Sequence, residues 1–367
     1  MTVYVVSDLH LDEDGDLGLF RDERQGRALA ALCERIAREG AELVLLGDIF
    51  ELTGMTPPDR GLSRFFERLE VDVDPPPRRP VSALVSAAAR TNPQATDALA
   101  RLSERARVTL VPGNHDRHFA TDEGVAALAA LGLRVERTPS AVRTVGGRTV
   151  VFQHGHEHDP GNDKAGGGGE VMTQALHKAV IPFLRAHGAQ RNVRMEPGRI
   201  VALRPEEAVI SVLERWLDAK TFRRFFRAFL RLLAVNRNVP KPAAWLAGFV
   251  SVDRVRTTVE RQDRLWERTG FTAVYALQGK RKLPHGAPRP DVLVFGHTHV
   301  LDWAVEQRRD GDGLYVNLGT WTERCFDPSS PPDASLPVLV LDEAGGRLRV
   351  SLSDLAQNGA ELQRFEC

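Results

Sequence analysis

The chain has 367 residues, 42% of them hydrophobic and 27% charged, and its 49 Lys+Arg balance 49 Asp+Glu. That length and composition exclude a mini-protein in need of covalent staples and a mainly disordered chain. A net charge of zero, taken whole, also argues against a nucleic-acid binder or a membrane-surface protein.

The N-terminal run Val3–Val6 is β-branched and aromatic and reads as a buried strand. It is not a basic segment leading into an apolar one, and no apolar run reaches bilayer length. The expectation is therefore no signal peptide, no spanning helix and a cytoplasmic location. Cys33, Cys325 and Cys367 are odd in number and at no metal-like spacing, which fits a reducing compartment; Cys33 and Cys325 read as packing residues and Cys367 as an exposed tail. Residues 24–38 carry Leu29, Leu32 and Ile36 at helical spacing, and Glu42–Leu46 is a second buried strand, so the chain opens as β-α-β. Residues 96–105 read as a helix and Val108–Val111 as a third strand. Further strands are predicted at 148–153, 291–295, 314–318, 337–341 and 347–352. Two segments interrupt the series. Residues 56–92 are rich in Pro and Arg and read as a long loop with some helix; residues 161–290 form a larger, mainly helical insert that opens on four glycines at 166–169.

Five of the predicted strands end in a polar cluster. The clusters are Asp8-Leu9-His10, Gly47-Asp48-Ile49-Phe50-Glu51, Gly113-Asn114-His115-Asp116, His154-Gly155-His156 and Gly296-His297-Thr298-His299. Carboxylate, amide oxygen and imidazole without thiolate suit Mn, Fe or Zn. In Asp8-x-His10 and His297-x-His299 the side chains are two residues apart, so on extended backbone both reach one centre. Asp8, His10, Asp48, Asn114, His154, His297 and His299 offer more groups than one tetrahedral zinc accepts, and a carboxylate such as Asp48 can bridge two ions. Two ions about 3.5–4 Å apart suit in-line displacement at phosphorus, with a bridging water as nucleophile. Other polar residues stay open. His156 either orients a ligand or belongs to its turn, Asp116 either positions His115 or caps the next turn, and Glu51 either orients a ligand or lies in a loop. His118 and His158 read as solvated or as supporting the ligands, and His177, His187 and His285 as ordinary insert residues.

Together the five blocks resemble the calcineurin-like metallophosphoesterase superfamily, over roughly residues 1–160 and 290–350. The resemblance implies an α/β, four-layer α-β-β-α sandwich of two mixed sheets with a dinuclear site at the strand ends. Residues 1–160 and 290–367 would form the catalytic domain, and 161–289 a basic helical insert. Carried over by position, metal one falls to Asp8, His10, Asp48 and His299, and metal two to Asp48, Asn114, His154 and His297. His115 matches the family histidine that binds phosphate and protonates the leaving group, a role that suits imidazole. A relative that kept the fold but lost catalysis would show missing ligands, and none is missing. The implied cofactors are two divalent ions, Mn first, with Fe or Zn as alternatives.

The zero net charge conceals a segregation. Residues 161–290 hold 24 Lys+Arg and 11 Asp+Glu, a net +13, which leaves −13 on the remainder. Within the insert, Phe222, Phe225, Phe226, Phe229 and Leu233 share a helical face, and Arg223, Arg227 and Arg231 recur every four residues on another. This basic amphipathic helix reads as packing on the catalytic core, as a lid over an acylated anionic substrate, as a membrane-surface contact, or as a contact to a phosphate-rich polymer. Asp8-Leu9-His10-Leu11, Gly47-Asp48-Ile49-Phe50-Glu51 and Leu318-Gly319-Thr320-Trp321-Thr322-Glu323 resemble the UDP-2,3-diacylglucosamine diphosphatase branch, which also carries a helical insert between the fourth and fifth blocks. That implies a phosphorylated, lipid-linked substrate and a peripheral position at the inner membrane face. A phosphodiesterase or nuclease, a protein phosphatase (although Asp59-Arg60-Gly61 comes late for that branch), and a metal-binding scaffold are the alternatives. Nucleic acid is the weaker partner, because the phenylalanines sit together rather than interleaved with the arginines.

Overall fold

A computed structural model describes residues 1–13, 18–53, 60–74, 79–191, 200–203, 208–236, 265–325 and 334–366. Cys367, Asp59 and much of the insert lie outside these residues.

The first sheet contains β1 (Val3–Val6), β2 (Glu42–Leu46), β3 (Val108–Val111), β4 (Glu136–Arg137), β10 (Pro337–Ala344), β11 (Arg347–Asp354) and β12 (Ala360–Glu366), in the order β12-β11-β10-β1-β2-β3-β4. Strands β1 to β4 run parallel, and β10 to β12 extend the sheet antiparallel. The second sheet orders β5 (Ala141–Val145), β6 (Arg148–Phe152), β7 (Val292–Phe295), β8 (Leu301–Glu306) and β9 (Gly313–Leu318) as β5-β6-β7-β9-β8, with β6, β7 and β9 parallel.

Strand alternation decides the layers. In β1, Val3 and Val5 face the space between the sheets, with Val44, Leu46, Phe152, Val294, Val316 and Leu339. Tyr4 and Val6 face the other way, onto a helical layer that includes Leu29, Leu32, Ile36 and Leu99. Helix Leu265–Leu277 covers the outer face of the second sheet through Ala273, Ala276 and Leu277 against Leu293, Phe295 and Tyr315. Both faces of the central strands are covered, which is why they read as unbroken apolar runs. The result is the α-β-β-α sandwich of two mixed sheets. Several boundaries differ from expectation; the strands at 337–341 and 347–352 run on to Ala344 and Asp354, and the helix predicted at 96–105 is Pro93–Ser103, because Pro93 fits the first helical turn, where its missing N–H costs nothing.

The phenylalanine face of helix Ala219–Asn236 does not pack on the sheets. Phe222, Phe225, Phe226 and Phe229 are buried in a separate cluster with Phe183, Leu184, Leu213 and, from the Pro-rich segment, Leu62, Phe65, Phe66 and Leu69. Phe225 stacks on Phe229 at 5.7 Å between centroids and meets Phe65 edge-on at 5.8 Å. Each buried phenylalanine contributes about 1.5–3 kcal/mol, so helix Leu62–Leu69 and the insert helices hold one another. No described helix is long and apolar enough to cross a membrane.

Candidate metal centre

The five polar clusters converge at the strand ends. Two loops are laced together by backbone: Asp8 N–H donates to Gly47 O at 3.0 Å and His10 N–H to Asp48 O at 2.9 Å. Among the described residues, five of the eight non-glycine positions with positive φ are Asp8 (55°), His10 (49°), Asp48 (52°), His297 (70°) and His299 (58°). Left-handed backbone is disfavoured for such residues and persists where the surroundings enforce it. Glycine is needed where chains press on these side chains. A methyl at Gly47 (φ 80°) would overlap the His154 ring, and one at Gly113 would overlap the Asp48 carboxylate.

Three groups of donors form among the described residues: one is His10, Glu51 and His115, and the other two consist of expected ligands. Asp8, His10 and His299 bring their ligand atoms within 4.8 Å of one another, and so do Asp48, His154 and His297. His299 Nε2 lies 3.2 Å from Asp8 Oδ1, and His154 Nε2 lies 3.0 Å from Asp48 Oδ2. The same Asp48 oxygen is 4.0 Å from His10 Nε2, so Asp48 stands between the groups. Asn114 Oδ1 is buried with no hydrogen-bond partner, while Asp8 Oδ1 and His154 Nε2 are buried with only the ion-pair neighbours just named. Orphaned buried polar atoms cost about 1–3 kcal/mol each, and this donor set fits divalent cations. The outward ring nitrogens are occupied: His10 Nδ1 pairs with Glu51 Oε2 at 2.8 Å, His154 Nδ1 donates to Leu46 O at 2.9 Å, and His297 Nε2 pairs with Asp159 Oδ2 at 3.1 Å. Such partners fix the tautomer and leave the inner nitrogen for an ion. Burial pushes the His154 imidazole down, but the charges of Asp48 and Asp8 outweigh it and hold its pKa at about 10. Burial likewise opposes ionisation of Asp8 and Asp48, and the surrounding histidines overcome it and hold both below the usual carboxylate range.

The neighbouring residues resolve as follows. Glu51 is buried, and its Oε2 serves both His10 and His115, the latter at 2.7 Å from Nδ1. Glu51 is thus no plain loop residue. Burial lowers the His115 pKa, but the charges of Glu51 and Asp48 raise it above its ordinary value. Of its two expected roles, Asp116 does not take that of a cap. Its oxygens accept Ile49 N–H and Gly113 N–H, each at 2.7 Å, bracing the second loop against the third, and its side chain makes no cap bond to the turn after it. Burial, then the Asp48 charge, raises its pKa to about 6. His156 lies beside His154 and His297, with centroids at 5.4 and 6.3 Å, and its Nδ1 has no hydrogen-bond partner. Burial and then the adjacent imidazoles depress its pKa to about 2. His158 is half-buried, with its ring 5.2 Å from that of Phe295.

Asp159 is the functional residue that sequence reasoning missed. It carries the hydrogen bond to His297 and also accepts Gly161 N–H at 2.8 Å. Its sequence context, Asp159-Pro160-Gly161, reads as a plain turn. The Leu318 to Glu323 block gains a reason too: Thr320 Oγ1 and Trp321 N–H both donate to Asp8 O, at 2.9 and 3.1 Å, holding that strained residue in place.

Residues 1–167 match the family model described as calcineurin-like phosphoesterase. The match includes four of the five blocks, and the structure brings the fifth, at 296–299, to the same centre. The match covers less than half of the chain; together with the converging donor groups it supports a phosphoesterase hydrolase. No curated protein matches the chain. Among solved structures, a conserved protein of Streptococcus pneumoniae TIGR4, described as a predicted phosphoesterase, is 11% identical, with 100% of this chain and 97% of that one covered and a TM-score of 0.32. Zinc-bound Vps29 from Entamoeba histolytica is also 11% identical, with 100% and 99% covered and a TM-score of 0.34. Likenesses at those scores carry no functional argument.

Proposed function

We propose that the chain is a dinuclear metal-dependent hydrolase of a phosphoester or phosphoanhydride. Asp8, His10, Asp48 and His299 would hold one divalent ion, and Asp48, Asn114, His154 and His297 the other. The observation that carries this reading is the pair of donor groups that Asp48 links, together with the buried Asn114 Oδ1, which has no hydrogen-bond partner. When bound, such ions (Mn first, with Fe or Zn also fitting the donors) polarise phosphoryl oxygens and lower the pKa of water to make a nucleophile. The chain's own residues do the rest. Glu51 engages His115 Nδ1, so Nε2 is the nitrogen left to give a proton to the leaving oxygen. Asp159 and Glu51 hold His297 and His10 in the tautomers that ligation needs.

For the substrate we propose a phosphorylated anion, with a lipid-linked or nucleotide-sugar-lipid molecule as the finer reading and residues 161–289 as its lid or contact. The +13 charge of the insert and the likeness to the diacylglucosamine diphosphatase branch support it. The nuclease reading is weaker, because the insert phenylalanines described above are buried and offer no stacking platform. The test is hydrolysis of bis-p-nitrophenyl phosphate with Mn²⁺, alongside a panel of nucleotide-sugar lipids, cyclic nucleotides, single-stranded DNA and phosphopeptides. Asp48→Asn and His297→Ala should lose both metal and turnover. Parent-level rates in those variants would sink the assignment; turnover of DNA alone would sink the lipid reading. Full metal loading with no turnover of any substrate would favour the scaffold.

A further inference from the structure

Helices Leu62–Leu69 and Ala219–Asn236 lie antiparallel. At one end Arg60 N–H donates to Asn236 Oδ1 at 3.3 Å and Asn236 Nδ2 donates to Arg60 O at 2.9 Å. At the other, Arg224 pairs with Glu70 at 2.6 Å. Between those ties, all the aromatic side chains of both helices turn inward. Outward stand Arg64 and Arg68 from one helix and Arg223, Arg227 and Arg231 from the other. The first four are exposed and Arg231 is half-buried. The end ties set Arg68 level with Arg227, and Arg231 is close enough to both that burial and their two charges together depress its pKa. Arg68 and Arg227 form no ion pair among the described residues, whereas Arg224, one turn away, has its carboxylate.

Like charges converging from two helices repel, and for Arg68 and Arg227 no described carboxylate offsets that repulsion. Guanidinium forks arranged this way match the oxygens of a phosphate group, which accepts paired donors from several directions. Arg64, Arg68, Arg223 and Arg227 are exposed, whereas the proposed metal ligands are buried. The apolar sides of both helices are consumed inside the chain, which leaves no insertion into acyl chains and no base stacking; charge and hydrogen bonding are what the ridge offers.

We propose that Arg68, Arg227 and Arg231, flanked by Arg64 and Arg223, form an accessory anion site that takes a phosphate group, either a lipid headgroup or a free phosphate, outside the metal centre.

The metal-loaded full chain is compared with R68Q/R227Q/R231Q and with a control that removes the same charge elsewhere, R38Q/R101Q/R134Q. Two probes are used: radiolabelled inorganic phosphate in equilibrium dialysis, and sedimentation with phosphatidylcholine vesicles containing about 30% phosphatidylglycerol. The ridge variant should lose roughly a hundredfold in affinity for one or both probes, at about fivefold per arginine, while the control keeps its affinity. Loss of vesicle binding alone identifies a headgroup, and loss of phosphate binding alone a soluble ligand. Arg227→Gln by itself, at an exposed position, should cost about fivefold and guards against misfolding of the triple variant. Unchanged binding of both probes, or an equal loss in the control, would overturn the proposal.

Discussion

Asp159 accepts a hydrogen bond from His297 at 3.1 Å through Oδ2, while its Oδ1 holds the first turn of the insert at Gly161. One carboxylate therefore fixes a proposed metal ligand and the start of the segment that follows. Replacing a partner of this kind typically weakens metal affinity about 10–100-fold. Asp159→Ala should do so for the ion assigned to Asp48, Asn114, His154 and His297, leaving the first ion in place. Titration of the metal-free chain with Mn²⁺ or Zn²⁺ should resolve one weakened and one unchanged site. Two unchanged sites would mean that the Asp159–His297 bond only shapes the turn.

Glu51 gives a second prediction, because one oxygen meets both His10 and His115. Glu51→Gln removes the charge that holds both rings. It should weaken the ion bound through His10 and slow turnover about 10–100-fold, within the usual range for general acid–base assistance. His115→Ala should separate the two effects: metal content stays full, and the rate falls most for esters with poor leaving groups. A set of aryl and alkyl phosphate esters measures this. Equal losses across the set would remove His115 from the proton-donor role, and metal loss in His115→Ala would make it a ligand.

These two cases mark how far the sequence could be read. Each of the strand-end blocks is contiguous, and its position follows from the apolar run before it, so Asp8, His10, Asp48, Asn114, His154, His297 and His299 were all legible. The contacts that hold them were not. Asp116 sits beside His115 in sequence but bonds to Ile49 and Gly113, because a tight turn aims its carboxyl backwards. The partner of His297 comes from 138 residues away. The basic helix was recognisable from its period, but its packing partner, Leu62–Leu69, lay in a segment whose Pro and Arg content suggested loop. Periodicity reveals which face is apolar and is silent about what covers it.

Cys33 supplies a prediction away from the site. It is buried on helix Arg27–Glu39, and burial raises its thiol pKa to about 12. At pH 8 only about one molecule in ten thousand would carry the reactive thiolate. Mass-spectrometric mapping after brief iodoacetamide treatment should find Cys33 unmodified in the native chain and fully modified in denaturant. Rapid native labelling would mean that this helix opens readily.

Metal removal tests the centre through stability. Asp8 and Asp48 are buried carboxylates within a shell of imidazoles, beside the buried Asn114 Oδ1, which has no hydrogen-bond partner. Ions that bind only the folded chain stabilise it by about 4 kcal/mol at a thousandfold excess over Kd. Chelation should therefore lower the melting temperature by several degrees, and added Mn²⁺ should restore it. Asp48→Asn, which removes the charge shared by both donor groups, should melt at the same temperature with and without Mn²⁺. A melting temperature of the parent chain that ignores chelator and metal alike would show that the clustered histidines and carboxylates satisfy one another, and the dinuclear reading would fall with it.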